Sequence, residues 1–343
     1  MDRLLTRDNF REAVFSRDNN ECVICKKEGK DAHHIIERRL FPDGGYYINN
    51  GATLCYSCHI DAEMTLLSVE EIREAANIRS VILPPHLYSD VRYDKWTNVI
   101  LPNGKRCAGE LFQDESVQKI LKQGGVLDNF TQYVKYPRTL HLPFSPGRTK
   151  DDRILDDCSI FVGHKVVVTE KYDGENSTLY RDYIHARSVE SAGHPSQTWS
   201  KRIQADVGWQ IPEGWRVCAE NLQAKHSIKY TGLPSYLLVF SIWDESNTCL
   251  SWSDTIEYVE LLGLKTVPVL YVGEWDEDLV KKCFTGTSIF GGSEQEGYVV
   301  RLADSFHYSA FKRSLAKYVR PEHVTSVHHW KYQKVEFNDL ANT

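Results

Sequence analysis

The chain has 343 residues, 41% of them apolar and 26% charged, with a net charge of −6. That length suggests two domains, with enough apolar material for two cores and no need of disulfides to fold. No apolar run approaches the ~20 residues that cross a bilayer, and the ordinary Gly, Pro and Cys usage excludes collagen-like, disordered and disulfide-scaffold classes. Residues 1–20 are charged and lack the apolar stretch of a secretory signal, so a cytoplasmic protein without a membrane anchor is expected.

Residues 6–15 read as a helix, with Phe10 and Val14 one turn apart on one face. Two Cys-x-x-Cys pairs follow, enclosing an irregular stretch around Pro42-Asp43-Gly44-Gly45. Ser68 to Glu71 is a capping box that opens a helix to about Arg79, ahead of Pro84-Pro85. Residues 96–101 before Asn103-Gly104 predict a hairpin, and residues 110–121 predict a helix ending near Gly124. The texture changes near Thr131, where we place the domain boundary. Beyond it, residues 166–170, 215–220, 236–242, 266–272 and 297–302 read as strands. Residues 253–262 read as a helix with a serine start and Gly263 at its end.

The nine cysteines are unevenly placed, and an odd number without an export signal points to a reducing compartment. Cys22, Cys25, Cys55 and Cys58 form two knuckles. Four thiolates satisfy tetrahedral Zn²⁺ in a closed, structural site, because no position is left for water. Two redox dithiols are the alternative. Beside the knuckles sit His33, His34, Asn50 and His59.

Over about residues 5–80, that combination resembles the HNH (ββα-metal) endonucleases. The resemblance implies His34 as the general base that activates water. It places His33 and His59 at a divalent cation and gives Asn50 the task of orienting the base or its loop. Glu63, one helical turn after His59, is a further candidate for the same ion. The opposing reading is a zinc-bearing binding module that does not cut.

In the second half, Glu170-Lys171-Tyr172-Asp173-Gly174-Glu175-Asn176 follows a buried strand. Arg187, Glu220, Phe240, Glu296 and a basic run from Lys312 to Lys317 come after it in order. A lysine can attack a nucleoside triphosphate only as the free amine, helped by desolvation or nearby cations. The crowded phosphorus needs cationic donors, and carboxylates can hold a divalent ion.

The ordered set resembles the covalent nucleotidyltransferases, and among them the ATP-dependent RNA ligases of the RNA ligase 2 type, over about residues 136–330. The resemblance implies that Lys171 takes AMP from ATP, passes it to a 5′-phosphate end, and that a 3′-hydroxyl then displaces it. It places Glu170, Asn176 and Arg187 at the nucleotide or 5′-phosphate and stacks Phe240 on adenine. Glu220 and Glu296 take the acidic positions, with Lys317 first and Lys312 second as the terminal phosphate-binding lysine. Two departures stand out. Ser241 follows the stacking aromatic where an acidic residue is usual, with Asp244 three residues further on, and the last lysines are not two apart.

The expected fold is α+β. A zinc-stabilised ββα-metal (HNH) module at 1–80 leads through a connecting region at 81–130 to an antiparallel-sheet-rich adenylation domain at 131–343. That domain is unrelated to ATP-grasp enzymes. The 26 residues after Lys317 are too few for an OB barrel, which favours an RNA end-joiner over a DNA ligase or capping enzyme. ATP, Mg²⁺ or Mn²⁺, and Zn²⁺ are the expected cofactors, and nucleic acid, RNA first, is the expected partner. Three readings stand: a cutter and sealer in one chain, a ligase with a zinc targeting module, and a nuclease effector whose ligase-like half senses ATP. His323, His328 and His329 read as a surface cluster.

Overall fold

The structure, a computed structural model, describes residues 4–148, 152–189, 194–290, 294–321 and 335–341. His323, His328 and His329 lie outside the described residues. The chain divides into two compact units, Met1–Gln132 and Tyr133–Thr343.

In the first unit, α1 (Arg7–Arg17) starts where the Thr6 side chain accepts the Asn9 N–H, and it buries Phe10 and Val14. β1 (Asp31–His34) pairs antiparallel with β2 (Gly51–Leu54), placing His33 opposite Ala52 and His34 opposite Gly51. α2 (Tyr56–Glu63) follows directly, so two strands and a helix enclose a core that includes Ile35, Ile36, Leu54 and Ala62. α3 (Val69–Ala75) opens on the expected capping box. It stops short of Arg79 because Asn77 turns into the left-handed region at φ 53°.

β3 (Val99–Ile100) and β4 (Arg106–Cys107) make the short hairpin around Asn103-Gly104. α4 (Glu115–Gln123) begins later than the sequence suggests. The Asp114 carboxylate accepts the Ser116 and Val117 N–H groups, and a cap sits outside the helix it starts.

The second unit contains β5 (Leu140–His141), β6 (Lys165–Lys171), β7 (Glu175–Leu179), β8 (Ile184–Ala186), α5 (Thr198–Val207), β9 (Arg216–Asn221) and β10 (Thr231–Leu233). It continues through β11 (Leu237–Trp243), β12 (Thr248–Cys249), α6 (Trp252–Leu261), β13 (Lys265–Thr266) and β14 (Val269–Glu274). α7 (Glu277–Lys281), β15 (Gly297–Leu302), β16 (Phe306–His307), β17 (Leu315–Val319) and β18 (Asp339–Leu340) complete it.

One sheet runs β14-β6-β15-β17-β5; the other runs β16-β12-β11-β9-β7-β8, with β13 also on β11. Pairing is antiparallel throughout the two sheets except for β5 on β17 and β13 on β11. Among the described residues no closed barrel forms. Val166, Val168, Tyr298 and Val300 fill the core of the first sheet, and Val217, Ala219, Leu237 and Val239 that of the second. A third cluster takes Val167 from one sheet and Leu238 from the other, so the two are packed together.

The single strand expected over 266–272 is two strands in two sheets. Pro268 has no N–H to donate and interrupts the ladder; its carbonyl accepts the Glu170 N–H at 2.9 Å. α6 starts one residue earlier than expected, capped by Ser251 rather than Ser253, and Gly263 closes it at φ 67°. No helix of the described residues is long and apolar enough to cross a membrane.

Candidate functional site

The second unit places its chemistry where the chain passes from one sheet to the other. Lys171 ends β6, and after Tyr172, Asp173 and Gly174 the chain enters β7 in the second sheet. Asp173 secures this crossing: its Oδ2 accepts the N–H groups of Ser227 at 2.7 Å and Ile228 at 3.1 Å. Gly174 is required by space. A Cβ there would lie 2.6 Å from the Asn221 carbonyl oxygen and 2.7 Å from Leu222 Cδ2. Its N–H donates to Glu220 Oε1 at 3.1 Å, which sets that carboxylate beside the turn.

Lys171 Nζ donates to Glu296 Oε2 at 2.6 Å. Burial alone would lower this amine's pKa, but Glu296, Glu220 and Asp173 outweigh it and hold Lys171 above the usual lysine value. Burial pushes Glu220 up to about 8 and Glu296 up to about 7, with the neighbouring carboxylates adding to the shift and Lys171 opposing it. Three carboxylates around one ammonium make an oxygen-rich place suited to a hard divalent cation.

A cavity of about 430 Å³ opens here, within the range of small-ligand pockets. Lys171, Asn176, Arg187, Glu220, Phe240 and Lys317 all line it. Asn176 stands opposite Glu220 in the β7–β9 ladder, and its Oδ1 is buried without a hydrogen-bond partner. Phe240 sits where the β11–β9 register shifts, the kind of irregularity that re-aims a side chain. Its ring meets Tyr136 edge-on at 5.2 Å. Lys317 comes from β17, opposite Val299; burial and the charge of Lys171 bring its pKa down to about 8. Burial and Arg138 likewise lower Arg187.

Glu170 and Ser241 also line the cavity, whereas Asp244 and Lys312 do not. The Glu170 side chain, on the strand face opposite Lys171, accepts the Ile289 N–H at 3.0 Å. Ser241 accepts the Trp243 indole N–H at 3.1 Å, and Asp244 accepts the Thr248 N–H in the β11–β12 turn. Lys312 lies in a 3₁₀ turn, Tyr308–Arg313, away from the cavity lining. Among the cationic lining residues, Arg138 escaped the sequence reading.

In the first unit, Cys22, Cys25, Cys55 and Cys58 bring their sulfurs within 4.8 Å of one another. Ser57 and the Cys58 N–H bring Cys55 down to about 6, whereas burial raises Cys58. Four sulfurs from two knuckles form a donor set that can hold a metal ion.

His33 from β1, and His59 and Glu63 from α2, form a second group within 4.8 Å. Glu63 Oε1 lies 3.3 Å from His33 Nδ1 and 3.2 Å from His59 Nε2. His33 is buried, and its Nε2 has no hydrogen-bond partner. Burial, with the charge of Lys95, lowers His33 to about 3 and His34 to about 4, so both rings are neutral near pH 7. Two imidazoles and a carboxylate suit a divalent cation.

The His34 ring stacks on Phe10 at 4.6 Å and lines the same pocket. Asn50 does not reach that ring. It accepts the Ile36 N–H at 2.9 Å and donates to the carbonyls of Ile36 and Gly45, tying together the backbone just after His34.

Residues 164–319 match the RNA ligase family model, and residues 22–63 match the HNH endonuclease model. Among solved structures, a mutant RNA ligase of Naegleria gruberi with ATP and manganese is 18% identical, with a TM-score of 0.35. That match covers 55% of this chain and 60% of the other. The Naegleria gruberi ligase with pyrophosphate is 16% identical over 80% of this chain and 72% of the other, with a TM-score of 0.41. An archaeal ATP-dependent RNA ligase is 13% identical over 55% and 48%, with a TM-score of 0.37. No curated protein matches the chain. The polypeptide thus carries an HNH endonuclease-family region followed by an RNA ligase-family region.

Proposed function

We propose that the chain is an ATP-dependent RNA ligase that joins 3′-hydroxyl to 5′-phosphate ends, and that its first unit cuts nucleic acid. The observation that carries this is the pairing of Lys171 with Glu296 at 2.6 Å beside a cavity lined by Asn176, Arg187, Glu220, Phe240 and Lys317.

In the first step the Lys171 amine attacks the α-phosphorus of ATP; a P–N bond forms and the bond to pyrophosphate breaks. Burial favours the uncharged amine, so neutralising Glu296 and Glu220 frees it to attack. A divalent ion held by these carboxylates would supply that neutralisation and screen the phosphoryl oxygens. Arg187 and Lys317 meet the charge that builds on phosphorus, and Phe240 offers a face to adenine. A 5′-phosphate oxygen then takes the AMP from Lys171, and a 3′-hydroxyl displaces AMP to close the strand.

In the first unit the four cysteines would hold Zn²⁺ as a structural pin, and His34 accepts a proton from the attacking water. His33, His59 and Glu63 would hold a divalent ion that stabilises the pentacoordinate phosphate. Cutting to a 5′-phosphate and a 3′-hydroxyl makes the ends that the second unit seals.

The test is an assay of nicked and intact RNA, DNA and mixed duplexes with ATP and Mn²⁺. Wild type should seal RNA nicks, Lys171→Ala should lose sealing alone, and His34→Ala should lose cutting alone. Wild type that seals no substrate refutes the ligase reading; cutting that survives His34→Ala refutes the nuclease one.

A further inference from the structure

A lysine from outside the HNH-matched region enters the HNH pocket. Lys95 follows Asp94, whose Oδ1 accepts the N–H groups of Trp96 and Asn98, both at 3.0 Å. Thr97 completes this tight turn at φ 61°. The turn is fastened to the HNH unit: the Trp96 indole donates to the Glu63 carbonyl at 2.9 Å, and the Lys95 carbonyl accepts the Glu37 N–H at 3.0 Å. The Lys95 side chain, only 5% exposed, is therefore delivered by a rigid element.

Its ammonium lies 3.1 Å from Glu63 Oε1, 3.1 Å from the His34 carbonyl and 3.5 Å from Glu37 Oε2. Glu63 Oε1 is the same oxygen that faces His33 and His59. Glu37 keeps a second cationic partner, Arg39 at 3.1 Å, whereas Glu63 faces two imidazoles and the Lys95 ammonium. His59 has Asp31 at 3.4 Å as its own acidic neighbour.

We propose that Lys95 is a built-in counter-cation of this pocket, neutralising Glu63 when the pocket holds no ion and repelling a divalent ion that binds there, and so setting how weakly the pocket binds it. This rests on the reading that His33, His59 and Glu63 hold a divalent cation. A fixed positive charge within about 5 Å of an ion on the same oxygen repels it, and the half-buried setting screens that repulsion poorly. Lys95 is thus a positioning residue that tunes metal affinity rather than a ligand.

The experiment is a Mn²⁺ titration of the zinc-loaded full chain, followed by the paramagnetic signal of free Mn²⁺. The signal from His59→Ala is subtracted to remove binding at the second unit. Lys95→Met should bind Mn²⁺ at least tenfold more tightly than wild type, and Mn²⁺ should raise its Tm by more. Lys95→Arg should restore wild-type affinity. Lys95→Gln, which still donates to Glu63, serves if the Met variant fails to fold and should also bind more tightly. Affinity equal to or weaker than wild type in the neutral variants overturns the proposal. No binding above His59→Ala in wild type and neutral variants alike overturns the metal-site reading itself.

Discussion

Lys171 and Glu296 are joined across two strands of one sheet. The last residue of β6 stands opposite Gly297 at the start of β15, and the two side chains meet at 2.6 Å. Burial works to lower the lysine, and Glu296 is the strongest influence holding it up. Glu296→Gln removes that charge, so the amine should become uncharged at lower pH. Labelling Lys171 with an amine-acylating reagent and mapping the peptide by mass should show a pH profile shifted downward, while AMP transfer from ATP falls. An unshifted profile contradicts the pairing.

Gly174→Ala should damage both stability and the site. The new methyl group meets the Asn221 carbonyl oxygen and Leu222, and its backbone N–H holds Glu220. Overpacking of this kind costs about 1–3 kcal/mol. Denaturant unfolding should show that loss, together with reduced AMP transfer.

Phe240→Ala should weaken ATP binding. Loss of one base–aromatic stack costs about 1–3 kcal/mol, equivalent to roughly fivefold to 150-fold in Kd. A calorimetric titration with ATP measures it, and an unchanged Kd places adenine elsewhere.

Lys317 should impose a pH limit on nucleotide binding. Burial and Lys171 bring its pKa down to about 8, so its charge is present below that pH and lost as the pH rises through it. Affinity for ATP should decline above about pH 8, and Lys317→Met should lose this limb of the profile, binding less tightly below that pH and converging on wild type above it.

The metal knuckles were legible because each Cys pair is a local spacing, and the Lys171 heptad because its turn chemistry is local as well. β7 was not legible. Glu175-Asn-Ser-Thr shows no apolar alternation, and those residues form a strand through long-range pairing with β9. Lys95 and Arg138 carry no signal in their neighbouring residues; folding alone brings them to their pockets. The break at Pro268 was written in the sequence, but a run of β-formers on both sides concealed the change of sheet.

The most direct measurement is the intact mass of the purified protein after incubation with ATP and Mg²⁺, followed by peptide mapping. The account predicts one acid-labile AMP adduct on Lys171, reversed by pyrophosphate and absent in Lys171→Ala. A protein that stays unmodified, or an adduct on another residue, contradicts it.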